Sequence, residues 1–508
     1  MMRLAVAFCL SASVPALAAA PDIGVSDAAL PASGKIVVSV GEDGAMSLAA
    51  TEADARTGGA LERAIAAADF EGGEGSTLPL YGLAPYDAVL VVGTGEGVTS
   101  GSDLQDFGGT VAQKTSGWTG TLSIAVPDSP AIEDDAAHAA LGARLGSYDF
   151  GKWNSDPDED DAAGARSLTF HGPGGDAFAS DRSAIADGVA FARDLVSTPS
   201  NAKTPVWFAD QVSAAFAGIP NTSVRIMDVA EMERLGMGAL VGVGKGSSRP
   251  PRLVVVRYDS PDYDGAPLAF VGKGITFDTG GISLKPPRDM WKMRGDMTGA
   301  AVSMGTLMAM AKRGAAVDAV AVGAMAENMP GGAAQRPGDV IRSMSGKTIE
   351  IMSTDAEGRL VLTDALWWTQ DQYNPRLAVS VATLTGSVSR ALGDDYAGLF
   401  TQDDELADLF VDAGETSGEH LWRLPLHEST FEDIEADVAD VRNGYSGGPG
   451  ASVGAAFIMN WVRDEQPFVH LDIAGMDYRD SAMPTEPKGW TAYGVRLLDE
   501  VARRYEGQ

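Results

Sequence analysis

Ser353-Thr354-Asp355-Ala356-Glu357-Gly358-Arg359-Leu360 sets two carboxylates and a guanidinium within five positions, directly after a mostly apolar stretch, 349–352. Asp355 and Glu357 repel each other unless positive charge lies between them. Hard oxygen ligands gather around divalent cations, so a metal ion is the natural occupant. Taken alone, the octapeptide also fits a surface turn with a local Glu–Arg pair. A strand that runs into such a cluster is the pattern of an open α/β sheet, whose sites form at the carboxyl ends of its strands.

A second cluster upstream weighs against the turn. The apolar run Leu268–Val271 leads into Gly272-Lys273-Gly274-Ile275-Thr276-Phe277-Asp278-Thr279-Gly280-Gly281. Lys285 and Asp296 follow, the latter in Met293-Arg294-Gly295-Asp296. Glycines at this density let the backbone turn sharply and approach a bound group closely. Together the two segments offer Asp278, Asp296, Asp355 and Glu357 as acidic ligands, with Lys273, Lys285 and Arg359 beside them.

These segments resemble the signatures of the leucyl aminopeptidase (cytosol aminopeptidase) family, two-zinc exopeptidases. The family octapeptide begins with Asn where this chain has Ser353, and Thr279 replaces a Ser. Further matching stretches are Arg193–Val196 with Pro199 and Asn201, Met237–Leu240, Arg336–Asp339, Ala382–Gly386 and His470–Gly475. The likeness covers about 185–500 well and the N-terminal third poorly.

The resemblance implies one metal held by Lys273, Asp278, Asp296 and Glu357, and another by Asp278, Asp355 and Glu357. Lys285 would polarise the scissile carbonyl, and Arg359 would hold a bicarbonate acting as general base. Met293, Thr383, Gly386 and Ala474 match positions lining the side-chain pocket. There the likeness loosens at Met476 and Asp477, where an acid would draw the preference toward a basic residue. The chemistry agrees. Two divalent ions about 3.5–4 Å apart share and acidify a water and clamp a tetrahedral intermediate. Lys285 must stay protonated to meet a developing oxyanion, and the planar guanidinium of Arg359 suits a small planar anion. None of the five histidines (138, 171, 420, 427, 470) falls in either cluster, and no His-Glu-x-x-His occurs. Oxygen-rich ligation leaves manganese, cobalt or magnesium as candidate occupants of at least one position beside zinc.

Two look-alikes are set aside as turns between strands. Ser345-Gly346-Lys347-Thr348 lacks the first glycine of a phosphate loop, since position 341 is Ile341. Gly242–Gly246 runs into Pro250 and Pro251, which cannot open a helix cleanly.

The chain has 508 residues, room for two or three domains, and a formal net charge of −32. That balance offers no basic stripe for nucleic acid. Residues 1–18, with Arg3, the apolar run Leu4–Leu17 and Ala16-Leu17-Ala18, read as a cleavable signal peptide that carries away the only cysteine, Cys9. This places the protein in the periplasm or outside the cell, with no membrane span after the leader. Residues 19–180 alternate strand and helix patterns (strands at Lys35–Val40, Ala88–Val92, Thr121–Val126 and Ser167–His171) and read as a smaller N-terminal α/β domain. Residues 181–201 read as a connecting helix. Residues 202–508 read as the catalytic α/β domain, a mixed central sheet flanked by helices. Its strands fall at Arg252–Arg257, Leu268–Val271, Ala319–Ala324, Thr348–Met352 and Ala378–Ala382, and its key helices at 299–312 and 360–373. Met304 and Met308 recur at core spacing.

The expected function is a metal-dependent aminopeptidase, with two zinc or manganese ions per subunit, that releases a Leu-like N-terminal residue from short peptides. The family likeness adds a homohexamer. The alternatives are a non-catalytic binding or assembly protein on the same fold and a dipeptidase of Cys-Gly type.

Overall fold

The computed structural model of the chain describes residues 21–129, 131–151, 153, 166–444 and 449–507. The expected leader lies outside these residues.

The protein is mixed α/β, a small N-terminal domain followed by a larger one. Its first sheet has six strands in the order Asp22–Ser26, Arg166–His171, Gly120–Ala125, Gly34–Val40, Tyr86–Gly93 and Thr77–Tyr81. All pairs are parallel except the last, which is antiparallel. Strand alternation sends Val37, Leu90 and Leu122 to one face, against helices Gly101–Lys114 and Asp135–Gly146. Ile36, Val38 and Val89 go to the other, against Leu48–Thr57 and Ala60–Ala67.

The second sheet has eight strands. From edge to edge they are Leu421–Arg423, Ala397–Phe400, Phe468–Asp472, Leu377–Ala382, Leu268–Asp278, Ala319–Asn328, Arg252–Tyr258 and Thr222–Met227. Leu268–Asp278 is central and pairs in parallel with both neighbours. Being buried on both faces, its strands read as continuous apolar runs rather than alternating ones. One face packs on helices Ser183–Ser197, Thr298–Arg313 and Val495–Arg503, with Met304 and Met308 in the core. The other packs on Glu357–Tyr373 and Gly450–Met459.

Helices from both faces thus begin near the carboxyl end of the central strand. Close approach on one side is enforced by glycine. A Cβ on Gly272 would lie 2.3 Å from the Gly299 carbonyl oxygen, and one on Gly299 would lie 2.1 Å from that of Val381.

Two local expectations change. The segment expected as strand 348–352 is strand only at Thr348–Glu350. It belongs to a separate small sheet with Val340–Arg342 and Val441–Arg442, because Met352 onward is held by a side chain rather than a strand partner. Gly242–Gly244 close a short helix, Gly238–Gly244, rather than forming a turn. Its first amides, Ala239 and Leu240, donate to the buried carboxylate of Asp364 at 2.9 Å, which satisfies the helix start from outside its own sequence. Ser345–Lys347 do form the turn expected between two strands.

Candidate active site

The central strand carries Lys273 in its interior and Asp278 at its carboxyl end. The Lys273 ammonium lies 2.7 Å from Asp296 Oδ1 and 3.0 Å from Glu357 Oε1, and donates to the Thr383 carbonyl at 3.0 Å. Asp296 lies two residues before the start of the Thr298–Arg313 helix, and Glu357 opens the Glu357–Tyr373 helix. The strand lysine therefore joins elements from both faces of the sheet. Beyond Asp278 the chain turns through Gly280 (φ 86°) and Gly281 (φ 66°) and brings back Lys285. Its ammonium lies 2.9 Å from Asp278 Oδ2 and 2.6 Å from Asp355 Oδ1.

Carboxylate oxygens of Asp278, Asp355 and Glu357 all come within 4.8 Å of one another. Asp296 joins the cluster through Lys273 and is not part of that group of three. Among the described residues, Asp296 Oδ2 and Glu357 Oε2 are buried without a hydrogen-bond partner, as is Arg359 Nε. Buried polar atoms are ordinarily satisfied, so these three atoms are free to meet a further bound group. An all-oxygen donor set with unused oxygens fits a divalent cation. The orphaned guanidinium nitrogen fits a small anion.

The electrostatics follow from crowding. Burial and the nearby Glu357 charge push Asp278 up to about 6. Burial raises Asp296 well above the carboxylate range. For Glu357, burial is outweighed by Lys273 and Lys285, which hold it below its ordinary value. Burial would strip both lysines of their protons, but the surrounding carboxylates overcome it and raise both. Burial lowers Arg359 to about 10, which leaves it charged at neutral pH.

Sequence reasoning missed the residues that hold these groups in place. Asn328 pairs in register with Asp278; its amide donates to Asp278 Oδ1 at 2.7 Å and to the Thr354 carbonyl at 2.9 Å. Asn443, fully buried, clasps the octapeptide. Its oxygen accepts from the amides of Met352 and Ser353, and its nitrogen donates to the Ser353 and Ala356 carbonyls. Arg359 Nη1 donates to the Asn443 carbonyl at 2.9 Å, and the guanidinium lies over the Phe457 ring. Ser353, the departure from the family octapeptide, accepts from the Asp355 amide through its hydroxyl. Neither asparagine stands out in the sequence, because each acts on segments 26 to 91 residues away.

A cavity of about 300 Å³ opens onto the cluster, and Met293, Thr383, Gly386 and Ala474 all line it. Thr383 is more than a wall, since its hydroxyl donates to Asp296 Oδ1 at 2.8 Å. Asp472, buried and pushed up to about 6 by that burial, accepts from the amides of Leu384, Thr385 and Ala474 and so shapes two sides of the cavity.

Residues 190–499 match the model of the cytosol aminopeptidase family catalytic domain, and residues 37–157 match that family's N-terminal domain. The chain belongs to the cytosol aminopeptidase family. A probable cytosol aminopeptidase of Chelativorans sp. is 42% identical over 500 residues, 96% of this chain and 99% of the relative. One from Caulobacter vibrioides is 41% identical over 491 residues, 94% and 97% of the two chains. Among solved structures, a tomato leucine aminopeptidase mutant superposes with a TM-score of 0.86 at 30% identity, covering 97% of this chain and 99% of that one. The bottromycin maturation enzyme BotP in complex with Mn gives 0.82 at 31% identity, covering 93% and 99%. The protein is an aminopeptidase.

The family corrects one expectation. The periplasmic or secreted location, and with it an exported member of the family, is overturned by relatives that match nearly the whole chain and are named for the cytosol. An arginine before an Ala-rich apolar run is a weak physical signal, because helical chain starts share it. Among the described residues, no helix is long and apolar enough to cross a membrane.

Proposed function

We propose that the protein is a metal-dependent aminopeptidase of two-metal type, acting on short peptides with a free N-terminus. One observation carries this reading: Asp278, Asp355 and Glu357 converge beside the buried Lys273–Asp296 pair, with orphaned oxygens on Asp296 and Glu357. Asp278, Asp296, Asp355 and Glu357, with Lys273 as the neutral amine once an adjacent cation drives off its proton, would hold two divalent ions, zinc or manganese. When bound, such ions polarise a carbonyl and acidify a water.

The chain's own groups supply the rest. Asp296, fixed by the Thr383 hydroxyl, faces the cavity where a peptide's α-ammonium would lie. Lys285 keeps its proton and stands at the cavity wall, poised to donate to the oxygen that gains charge as the peptide bond is attacked. Arg359 would hold bicarbonate through its unused Nε, a group that would supply a general base beside the cluster. Met293 and Ala474 present alkyl surface along which the first side chain of the peptide would lie. Assembly into a homohexamer belongs to the same reading, supported by exposed Leu284 and Trp291 on segments beside the site.

The test is hydrolysis of leucyl-p-nitroanilide by protein stripped of metal and refilled with zinc or manganese, beside Glu357→Ala. Activity that returns with metal and is absent in the variant supports the reading. No hydrolysis with either metal, on this substrate or on short peptides including Cys-Gly, refutes it.

A further inference from the structure

The floor of the 300 Å³ cavity holds a charge that an alkyl side chain cannot use. Asp477 lines it together with Met293, Ala474 and Trp490. No described Lys, Arg or His lies within 4.0 Å of its carboxylate; its neighbours in the chain, Tyr478 and Arg479, are engaged elsewhere. The backbone here is rigid. The Thr491 amide donates to the Asp477 carbonyl at 3.1 Å, and the Thr491 hydroxyl donates to the Met476 carbonyl at 2.6 Å. Tyr478 and Trp490 pack edge to face beside it, and the two-stranded pairing of 478–479 with 489–490 closes the floor. The backbone that carries the carboxylate is thus tied down, and the partly buried carboxylate has no cationic partner within 4.0 Å among the described residues.

Among the described residues lining the cavity, Lys292 is the one other charged group outside the cluster of Lys273, Asp278, Lys285, Asp296, Asp355 and Glu357. Its ammonium is turned to Asp480, 3.4 Å away, and lies over the Tyr478 ring at 4.7 Å. That leaves Asp477 as the acid facing the space a first side chain would fill.

We propose that Asp477 makes this aminopeptidase selective for peptides that begin with lysine or arginine, whose alkyl stem runs along Met293 and Ala474 while the cationic head pairs with the Asp477 carboxylate. The inference rests on the peptidase reading above and names its substrate class. An uncompensated, partly buried carboxylate is costly. A leucine or norleucine side chain would desolvate it further, whereas a cationic side chain offsets that loss. Burial already pushes Asp477 up to about 7, against the nearby positive charges of Lys292 and Lys273 and with the Asp472 charge adding to the rise.

The experiment compares kcat/KM of the metal-loaded protein for lysyl-, arginyl-, leucyl- and norleucyl-p-nitroanilide at pH 8. Norleucine reproduces the lysine stem without its ammonium. The expected lysyl-to-norleucyl ratio is about tenfold or more in favour of lysyl, the scale on which a single side-chain contact discriminates. In Asp477→Asn that ratio falls roughly 10- to 100-fold, since the charge goes and the shape stays. A wild-type ratio at or below one overturns the proposal, and so does an unchanged ratio in the variant. The wild-type ratio carries the test even where the variant does not fold. Norleucyl hydrolysis without a lysyl advantage refutes the charge role alone. No hydrolysis of any of the four refutes the peptidase reading and this inference with it.

Discussion

Gly358 sits inside the octapeptide at the second residue of a helix, where glycine is a poor choice by propensity. Alanine there would favour the helix by about 1 kcal/mol. The reason for glycine is Lys273. A Cβ at position 358 would lie 2.4 Å from Lys273 Cε, 2.6 Å from Cδ and 2.7 Å from Nζ, where ordinary contact begins near 3.4 Å. In Gly358→Ala the lysine must therefore retreat by about 1 Å, and its ammonium leaves Asp296 at 2.7 Å and Glu357 at 3.0 Å. Losing one partner of a buried charge pair costs about 3–5 kcal/mol. Set against the helical gain, the net loss of stability is about 2–4 kcal/mol. For activity the displacement itself decides, because a misplacement of about 1 Å costs on the order of 100-fold. Steady-state kinetics on leucyl-p-nitroanilide, bound-metal content and thermal unfolding read these effects together. Gly117→Ala, whose Cβ would meet nothing within 4 Å, serves as control. A Gly358→Ala protein with wild-type metal content and kcat/KM within about threefold of wild type would refute the placement of Lys273 as the reason for this glycine.

Other consequences follow from the same contacts. Asn328→Ala removes the amide that orients Asp278, and metal affinity measured by competition with a chelator is expected to fall about 10- to 100-fold; unchanged affinity would show the amide to be incidental. Asn443→Ala leaves the amides of Met352 and Ser353 and the Ser353 carbonyl short of partners, and unfolding in urea should show a loss of about 2–4 kcal/mol, with no loss counting against the clasp. His470 is fully buried, hydrogen-bonded to the Ser380 hydroxyl and depressed to about 3 by burial and by Arg359. Its folded pKa lies below the unfolded value, so between about 6.5 and 3 the unfolded chain binds a proton that the folded chain refuses. The stabilisation is complete above about pH 6.5 and is lost as pH falls toward 3, at about 1.4 kcal/mol per unit. His470→Asn should lose stability with acid less steeply than wild type by one proton, and parallel slopes would exclude His470 as the cause. Stripping metal with a chelator should abolish hydrolysis yet leave the far-ultraviolet dichroism unchanged, because Lys273 and Lys285 bridge the carboxylates themselves; unfolding on chelation would contradict that account.

What was legible in the sequence follows from what needs a local explanation. Asp355 and Glu357 two residues apart, or Lys273 within an apolar strand, demand a compensating charge wherever the chain goes, so the clusters announce a site before any fold is known. The long buried strands Leu268–Asp278 and Ala319–Asn328 are equally plain, as continuous apolar runs. Short, half-exposed edge strands such as Asp22–Ser26 and Thr222–Met227 carry no such pattern, because they owe their conformation to the strand beside them. The asparagines are the sharper case. A neutral amide raises no local conflict, and Asn328 gains its role only because parallel register sets it opposite Asp278. Asn443 gains its role only because Val441–Arg442 pairs alongside Thr348–Glu350 and brings it to the octapeptide. Charge is visible one segment at a time, whereas the groups that aim it are chosen by strand pairing. Candidate ligands can therefore be picked out from sequence, but the geometry that brings them together belongs to the sheet.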